Sequence, residues 1–266
     1  MVGIYHESII GLRPQNEDKH DIITNLDGSN NTISSINLFA VFDGHGGKGV
    51  SKFLYDNLSK YFTNRKISYP LSMKYVNKVY NHLQKTLRIK HREFSLFSGS
   101  TCLVVIQFKH DGKDYLNVMN TGDSRGVLCR NNIALPMTID HKPYTPLEKR
   151  RIESLGGKIE FDGDDWRIEN LSVSRAFGDV KAGPYVTHVP DVFKYRLGNK
   201  DQFMILACDG LWDVMTNQEV VDFVLHICYD QNMVRIDPGV NIAKKLADIA
   251  VQKGSTDNIT IIISFF

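Results

Sequence analysis

Residues 38–54 read LFAVFDGHGGKGVSKFL. An apolar run gives way to an aspartate, a histidine and four glycines, and an amphipathic segment follows. The run is apolar enough to predict a strand covered on both faces. After it, Val50, Phe53, Leu54, Leu58 and Tyr61 recur at helical spacing. A tight turn between strand and helix needs one glycine, and Asp43-Gly44 alone is a common turn signal. Gly44, Gly46, Gly47 and Gly49 together clear side chains from around one carboxylate and one imidazole, so that backbone can approach something small.

Three further segments share the character of FAVF. TCLVVIQF, FMILAC and ITIIISFF are almost continuously apolar, which predicts strands buried on both sides. TCLVVIQFK and KDYLNVMN flank His110-Asp111-Gly112, and GVLCR and IALPMT flank Asn131-Asn132, two hairpin signatures. Val76, Val79, Tyr80, Leu83 and Leu87 mark a second helix. Thr145-Pro146-Leu147-Glu148 predicts a capping box with proline at the first helical position, ending at Gly156-Gly157. Thr216 with Glu219 predicts another box, and a last helix is expected after Asp237-Pro238, ending near Gly254. Strands needing cover on both faces, with helices spaced between them, imply layers: helices outside, sheets inside.

No repeat, linker or low-complexity tract divides the 266 residues, so one domain spanning 1–266 is expected. The 32 basic and 30 acidic side chains leave a formal charge of +2, too little field to favour nucleic acid or an anionic membrane surface. No apolar run nears the roughly 20 residues a membrane helix requires. The opening MVGIYHESIIGLRPQNED lacks the layout of a signal peptide, and its glycine stands third, outside the myristoylation pattern. The expected address is the cytoplasm or the nucleus. Cys102, Cys129, Cys208 and Cys228 are too scattered for a zinc site or disulfide framework and are expected as buried thiols.

The acids carry the functional signal. Asp43 follows FAVF, Asp123 follows YLNVMNTG, Asp209 follows MILAC, and Asp257 precedes NITIIISF. Glu17-Asp18 lies between two apolar N-terminal segments. One such aspartate is usually a turn residue or a helix cap. If several converge, their repulsion raises their pKa values and weakens the fold unless cations neutralise them. Carboxylates without paired thiolates suit hard octahedral ions, magnesium or manganese, over zinc or copper.

In order along the chain stand GLRPQNED, VFDGHGG, GSTCLVVI, NTGDSRGVL, DHKP, LSVSRAFGD, ACDGLWDV and STDNITIII. In these blocks the sequence resembles the protein phosphatase 2C family of metal-dependent serine/threonine phosphatases. The resemblance implies an α+β fold, a four-layer α-β-β-α sandwich of two antiparallel sheets flanked by helix pairs. It implies two ions, Mn2+ or Mg2+, with Asp43 bridging both and Gly44 offering its carbonyl to one. Glu17 matches a ligand of one metal, and Asp209 and Asp257 match ligands of the other. Asp18 matches a residue that orients metal-bound waters. Asp123 and Asp213, with Asp209, match positions that hold a third, weaker ion in some members. Arg13 aligns with the arginine that grips phosphate and His45 with the general acid. Water activated by the two ions would attack phosphorus directly, with no covalent intermediate. Asn258, Ser174, Arg175, Gly178 and Asp179 fall in matching motifs as support.

The link Arg167-Ile168-Glu169-Asn170-Leu171 holds no glycine and is one residue shorter than in many relatives. By the resemblance it lies near the flap region that touches substrate, so substrate preference is not carried over, while the metal site is. Trp166, close by, is expected to pack within that flap. The chain stops at Phe266, directly after the last strand, and reads as a bare catalytic domain acting as a monomer on phosphorylated proteins. Three other readings fit the sequence less well. A cysteine phosphatase needs an arginine five residues beyond its thiol, and Cys228 is seven positions before Arg235. An inactive binding scaffold should have lost ligands, yet Glu17, Asp43, Asp209 and Asp257 are present. A metal-dependent nuclease lacks its basic footprint here.

Overall fold

The computed structural model describes residues 3–26, 36–63 and 67–266. In chain order the main strands are β1 (Ile4–Ile9), β2 (Lys19–Ile23), β3 (Asn37–Phe42), β4 (Cys102–His110), β5 (Lys113–Thr121), β6 (Arg125–Arg130), β7 (Ile133–Pro136), β8 (Asp191–Arg196), β9 (Asp201–Ala207) and β10 (Ile259–Phe265). The main helices are α1 (Gly49–Asn57), α2 (Met73–Lys90), α3 (Pro146–Ser154), α4 (Asn217–Cys228) and α5 (Ile242–Gln252). The strands form two five-stranded antiparallel sheets, ordered β1-β10-β9-β6-β7 and β8-β5-β4-β3-β2.

The continuously apolar strands serve two cores at once because successive side chains point to opposite faces. Along β3, Leu38, Ala40 and Phe42 pack with Val50, Leu54, Val76, Tyr80 and Leu83 of α1 and α2. Phe39 and Val41, the alternate residues, meet Met204, Leu206 and Ile262 of the other sheet. In β10, Ile259, Ile261, Ile263 and Phe265 face Val220, Val224, Leu246 and Ala250 of α4 and α5. The result is helix pair, sheet, sheet, helix pair, the four layers expected. Removing one of these side chains, as in Ile262→Ala, costs about 2–5 kcal/mol.

Local chemistry sets the boundaries. Asp111 and Gly112 (φ 49° and 70°) close the β4–β5 hairpin, and Asn131 and Asn132 (φ 53° and 67°) close β6–β7. Two residues at positive φ make the primed turn whose twist matches the strands. Thr216 and Glu219 form a reciprocal capping box at the start of α4. Asn241 caps α5, accepting from the amides of Ala243 (3.1 Å) and Lys244 (3.3 Å), so that helix begins at Ile242, beyond Pro238. All four cysteines are free and buried.

One local expectation fails. The Thr145 side chain makes no cap to α3 and donates to the Lys142 carbonyl at 2.9 Å. Glu148 is drawn inward instead: its carboxylate accepts from Arg175 (2.7 and 3.0 Å) and Arg151 (2.8 and 3.2 Å). Two guanidiniums outbid one exposed amide for a buried carboxylate. Among the described residues no helix is long and apolar enough to cross a membrane.

Candidate metal centre

Both sheets deliver acids to one edge. Asp43 leaves β3, Asp123 follows β5 through Gly122, Asp209 opens the single turn Asp209–Trp212 after β9, and Asp257 precedes β10. The Asp43 backbone is locked from both sides. Its amide donates to Thr101 Oγ1 (3.0 Å), its carbonyl accepts from the Thr101 amide (2.8 Å), and Thr101 Oγ1 is paired with Ser124 Oγ (2.7 Å).

One carboxylate oxygen from each of Asp43, Asp123 and Asp209 lies within 4.8 Å of the others. Burial pushes Asp43 well above the usual carboxylate range, and the charges of Asp209, Asp18, Asp123 and Asp257 push it further. Asp209 is raised in the same way, first by burial and then by Asp123 and Asp213, with Lys142 opposing. Burial also lifts Asp18 to about 6. One Asp18 oxygen accepts from Thr260 Oγ1 at 2.7 Å, while the other, Oδ1, is buried with no partner in the protein. Clustered hard oxygens at this density, one of them orphaned, fit a divalent cation of the oxygen-preferring class.

The acids floor a cleft of about 500 Å³. Glu17 and Asp257 line it but stand apart from the triad, each already engaged. Glu17 accepts from Gln15 Nε2 (2.6 Å) and the Gly47 amide (2.9 Å). Asp257 takes Arg13 Nη2 at 2.7 Å. Asn258 ties the Arg13–Glu17 loop to β10: its side chain accepts from the Glu17 amide (2.9 Å) and donates to the carbonyls of Ile10 (2.8 Å) and Gln15 (3.0 Å). Gly11, at φ +60°, fits this contact because a Cβ there would lie 1.9 Å from the Asp257 carbonyl. Gly44 is buried beneath the same loop, and Asp213 follows the Asp209 turn, its amide donating back to the Asp209 carbonyl at 2.8 Å.

His45 Nε2 meets Asp179 Oδ2 at 2.7 Å. Burial alone would lower the imidazole pKa, but the hydrogen bond and charge of Asp179 outweigh it and raise it. Gly99 makes the pair sterically feasible, since a Cβ there would stand 2.0 Å from Asp179 Oδ2 and 2.5 Å from His45 Nε2.

The opposite wall is a hairpin, Glu160–Phe161 against Trp166–Arg167, followed by a second turn at Glu169 and Asn170 (φ 50° and 68°) between paired Ile168 and Leu171. The short link without glycine is thus a primed turn made from non-glycine residues. Arg167, Asn170 and Leu171 reach the cleft, and Trp166 packs on Phe161 at 5.4 Å between ring centroids. Lys142, whose ammonium stands 2.5 Å from Asp123 Oδ2, is a site residue that the sequence did not single out. Its one visible signal was its place in the DHKP block. Thr101 and the direct Asp179 contact were likewise invisible, because both act across about 58 and 134 residues of chain.

The profile of Protein phosphatase 2C matches residues 5–259. A probable protein phosphatase 2C 59 of Oryza sativa subsp. japonica is 37% identical over 261 residues, covering 96% of this chain and 73% of its own. Protein phosphatase 1L of Bos taurus is 33% identical over 282 residues, covering 100% and 72%. A PP2C-like domain-containing protein of Acanthamoeba polyphaga mimivirus is 47% identical over 171 residues, 58% of this chain and 96% of that one. In fold, the chain superposes on the serine-threonine phosphatase 2C of Toxoplasma gondii with a TM-score of 0.80 at 24% identity, covering 100% of this chain and 95% of that one. Profile, relatives and fold agree over nearly the whole length: this chain belongs to the protein phosphatase 2C family of metal-dependent serine/threonine phosphatases.

Proposed function

We propose that the chain hydrolyses phosphoserine and phosphothreonine in proteins, using two divalent cations, Mg2+ or Mn2+, with water attacking phosphorus directly. The observation that carries this is the acid triad, one carboxylate oxygen from each residue lying within 4.8 Å of the others, with Asp43 and Asp209 raised in pKa first by burial and then by the neighbouring acids. Asp43, Glu17, Asp209, Asp257 and the Gly44 carbonyl would hold the ions, and Asp18 would orient water beside them. Asp123 and Asp213, with Asp209, offer a third, weaker position. Bound cations would supply Lewis acidity that activates water and offsets phosphoryl charge.

The remaining steps belong to side chains of this protein. Arg13 grips the phosphate oxygens with its planar donors, exchanging its contact with Asp257 for the substrate. Both partners are partly exposed, 55% and 37%, so that exchange is cheap. His45, with Nε2 held by Asp179, protonates the departing seryl or threonyl oxygen from Nδ1, because an alkoxide leaves poorly. The leaving oxygen takes the proton and phosphate takes the attacking oxygen, so nothing is bonded to the enzyme at any stage. Residues 1–266 act as one catalytic unit, a monomer in the cytoplasm or nucleus.

The test is phosphate release from a phosphothreonine peptide with Mn2+, with Mg2+, and with excess EDTA. Release that needs a metal and stops with EDTA is expected. No release under either metal would overturn the reading in favour of a binding scaffold.

A further inference from the structure

Lys142 is the one cation among the described residues seated on the acid triad. Its ammonium lies 2.5 Å from Asp123 Oδ2 and 3.9 Å from Asp165 Oδ2, with only 14% of the side chain exposed. Asp123 opens the acid group, whereas Asp165 belongs to the turn between the two strands of the cleft-wall hairpin. One flexible side chain therefore spans the floor and the wall of the site. Its backbone is fixed: the Lys142 carbonyl accepts from the Thr145 amide (3.1 Å) and hydroxyl (2.9 Å). Asp165 is fixed too, since its Oδ1 accepts from the Trp166 amide at 2.7 Å and its amide donates to Asp162 Oδ1 at 2.9 Å. Only the four-carbon stem of Lys142 is free to rearrange.

We propose that Lys142 is a resident cation of the third position, neutralising Asp123 and tying the hairpin to the acid group, and that a divalent ion taken up there displaces its ammonium. The inference rests on the two-cation reading above. An ion bound by Asp123, Asp209 and Asp213 would share the Asp123 carboxylate with the Lys142 ammonium, and two like charges on one carboxylate repel. A lysine ammonium is a mobile point charge on a flexible stem, so it is the partner that yields. Once off Asp123, it no longer links Asp165 to the floor, and the hairpin carrying Arg167 and Trp166 loosens. Lys142 is thus a positioning residue that sets how tightly the third ion binds and couples its arrival to the cleft wall.

The test uses the full chain and Mn2+ alone, with free ion measured by electron paramagnetic resonance and hairpin mobility by hydrogen exchange. In Lys142→Met the third ion should bind about tenfold tighter or better, with the first two unchanged, and Lys142→Arg should restore weak third binding. In the wild-type chain, saturating Mn2+ should speed exchange in residues 160–167. Asp165→Asn, which leaves the Asp123 pair intact, should speed exchange without metal and leave third-ion affinity within about twofold. It also keeps the question open to test if Lys142→Met folds poorly. Two tight ions in the wild type with no gain in Lys142→Met, or hairpin exchange unmoved by Mn2+, would overturn the proposal alone. Absence of tight ions in wild type and variant alike would overturn the two-cation reading and this proposal with it.

Discussion

Glu148 and Asp191 are buried or half-buried acids, as are Asp43 and Asp209, yet the two groups are neutralised in opposite ways. Burial alone would raise Glu148, but its bonds to Arg175 and Arg151 outweigh that and hold it below the usual range. The hydrogen bond from His141 draws Asp191 to about 2 against the opposing effect of burial, helped by Arg175. Arg175 joins the pair, with Nη1 2.8 Å from Asp191 Oδ1 and Nη2 2.7 Å from Glu148 Oε1. Among the described residues no arginine stands against Asp43 or Asp209, and both are pushed well up. Acids supplied with their own cations brace the fold, whereas acids left short of cations await one from outside.

The sharpest break of this contrast is Asp43→Asn. Phosphate release should fall by about a thousandfold or more, because a ligand shared by the reacting centre is lost. In EDTA the same variant should melt higher than wild type, since one repelled, desolvated carboxylate is gone. Arg175→Met should do the reverse, leaving Glu148 and Asp191 without their main counter-charge and destabilising the fold by about 3–5 kcal/mol in urea titration. A loss below about 1 kcal/mol would mean the bracing group is as tolerant of uncompensated charge as the metal centre.

Titration should separate the two groups by sign. A carboxyl raised in the fold contributes stability that is full below its unfolded pKa and lost as pH rises through the folded value. For Asp18 that window runs from 3.8 to about 6, so the metal-free protein in EDTA should lose thermal stability between pH 4 and 6. Asp191 is depressed from 3.8 to about 2, so its contribution is present above the first value and lost as pH falls through the second. Asp191→Asn should flatten the acid limb of a stability profile between about pH 4 and 2, and leave the EDTA effect near pH 5 in place.

Much of this was legible because it follows short-range rules. The continuous apolar runs FAVF and ITIIISFF marked strands covered on both faces, since successive side chains of a strand point to opposite sides and that needs only neighbouring residues. The turn dipeptides at 111–112 and 131–132 set their hairpins for the same reason. The acids at strand ends stood out in the sequence, but their grouping was not readable: Asp123 joins Asp43 and Asp209, while Asp257 goes to Arg13. Which carboxylates meet depends on how two sheets stack, and that is a property of the whole core. Lys142, Thr101 and Gly99 were hidden for the same reason, each acting on a residue far away in sequence.

The smallest effect tests the misreading of Glu148 directly. Thr145-x-x-Glu148 and Thr216-x-x-Glu219 carry one sequence pattern, and only the second closes a capping box. Thr216 Oγ1 accepts from the Glu219 amide at 3.3 Å, while Glu219 Oε2 takes the Thr216 amide at 2.8 Å. Thr216→Ala should therefore cost about 1 kcal/mol of stability. Thr145→Ala should cost less, because its hydroxyl reaches no helix amide and serves only the Lys142 carbonyl, which keeps its bond from the Thr145 amide. Equal losses from the two substitutions in urea titration would show that α3 is capped by its own threonine in solution. Glu148 would then be shared between helix and arginines, and the difference between the bracing acids and the metal-seeking acids would be smaller than their surroundings indicate.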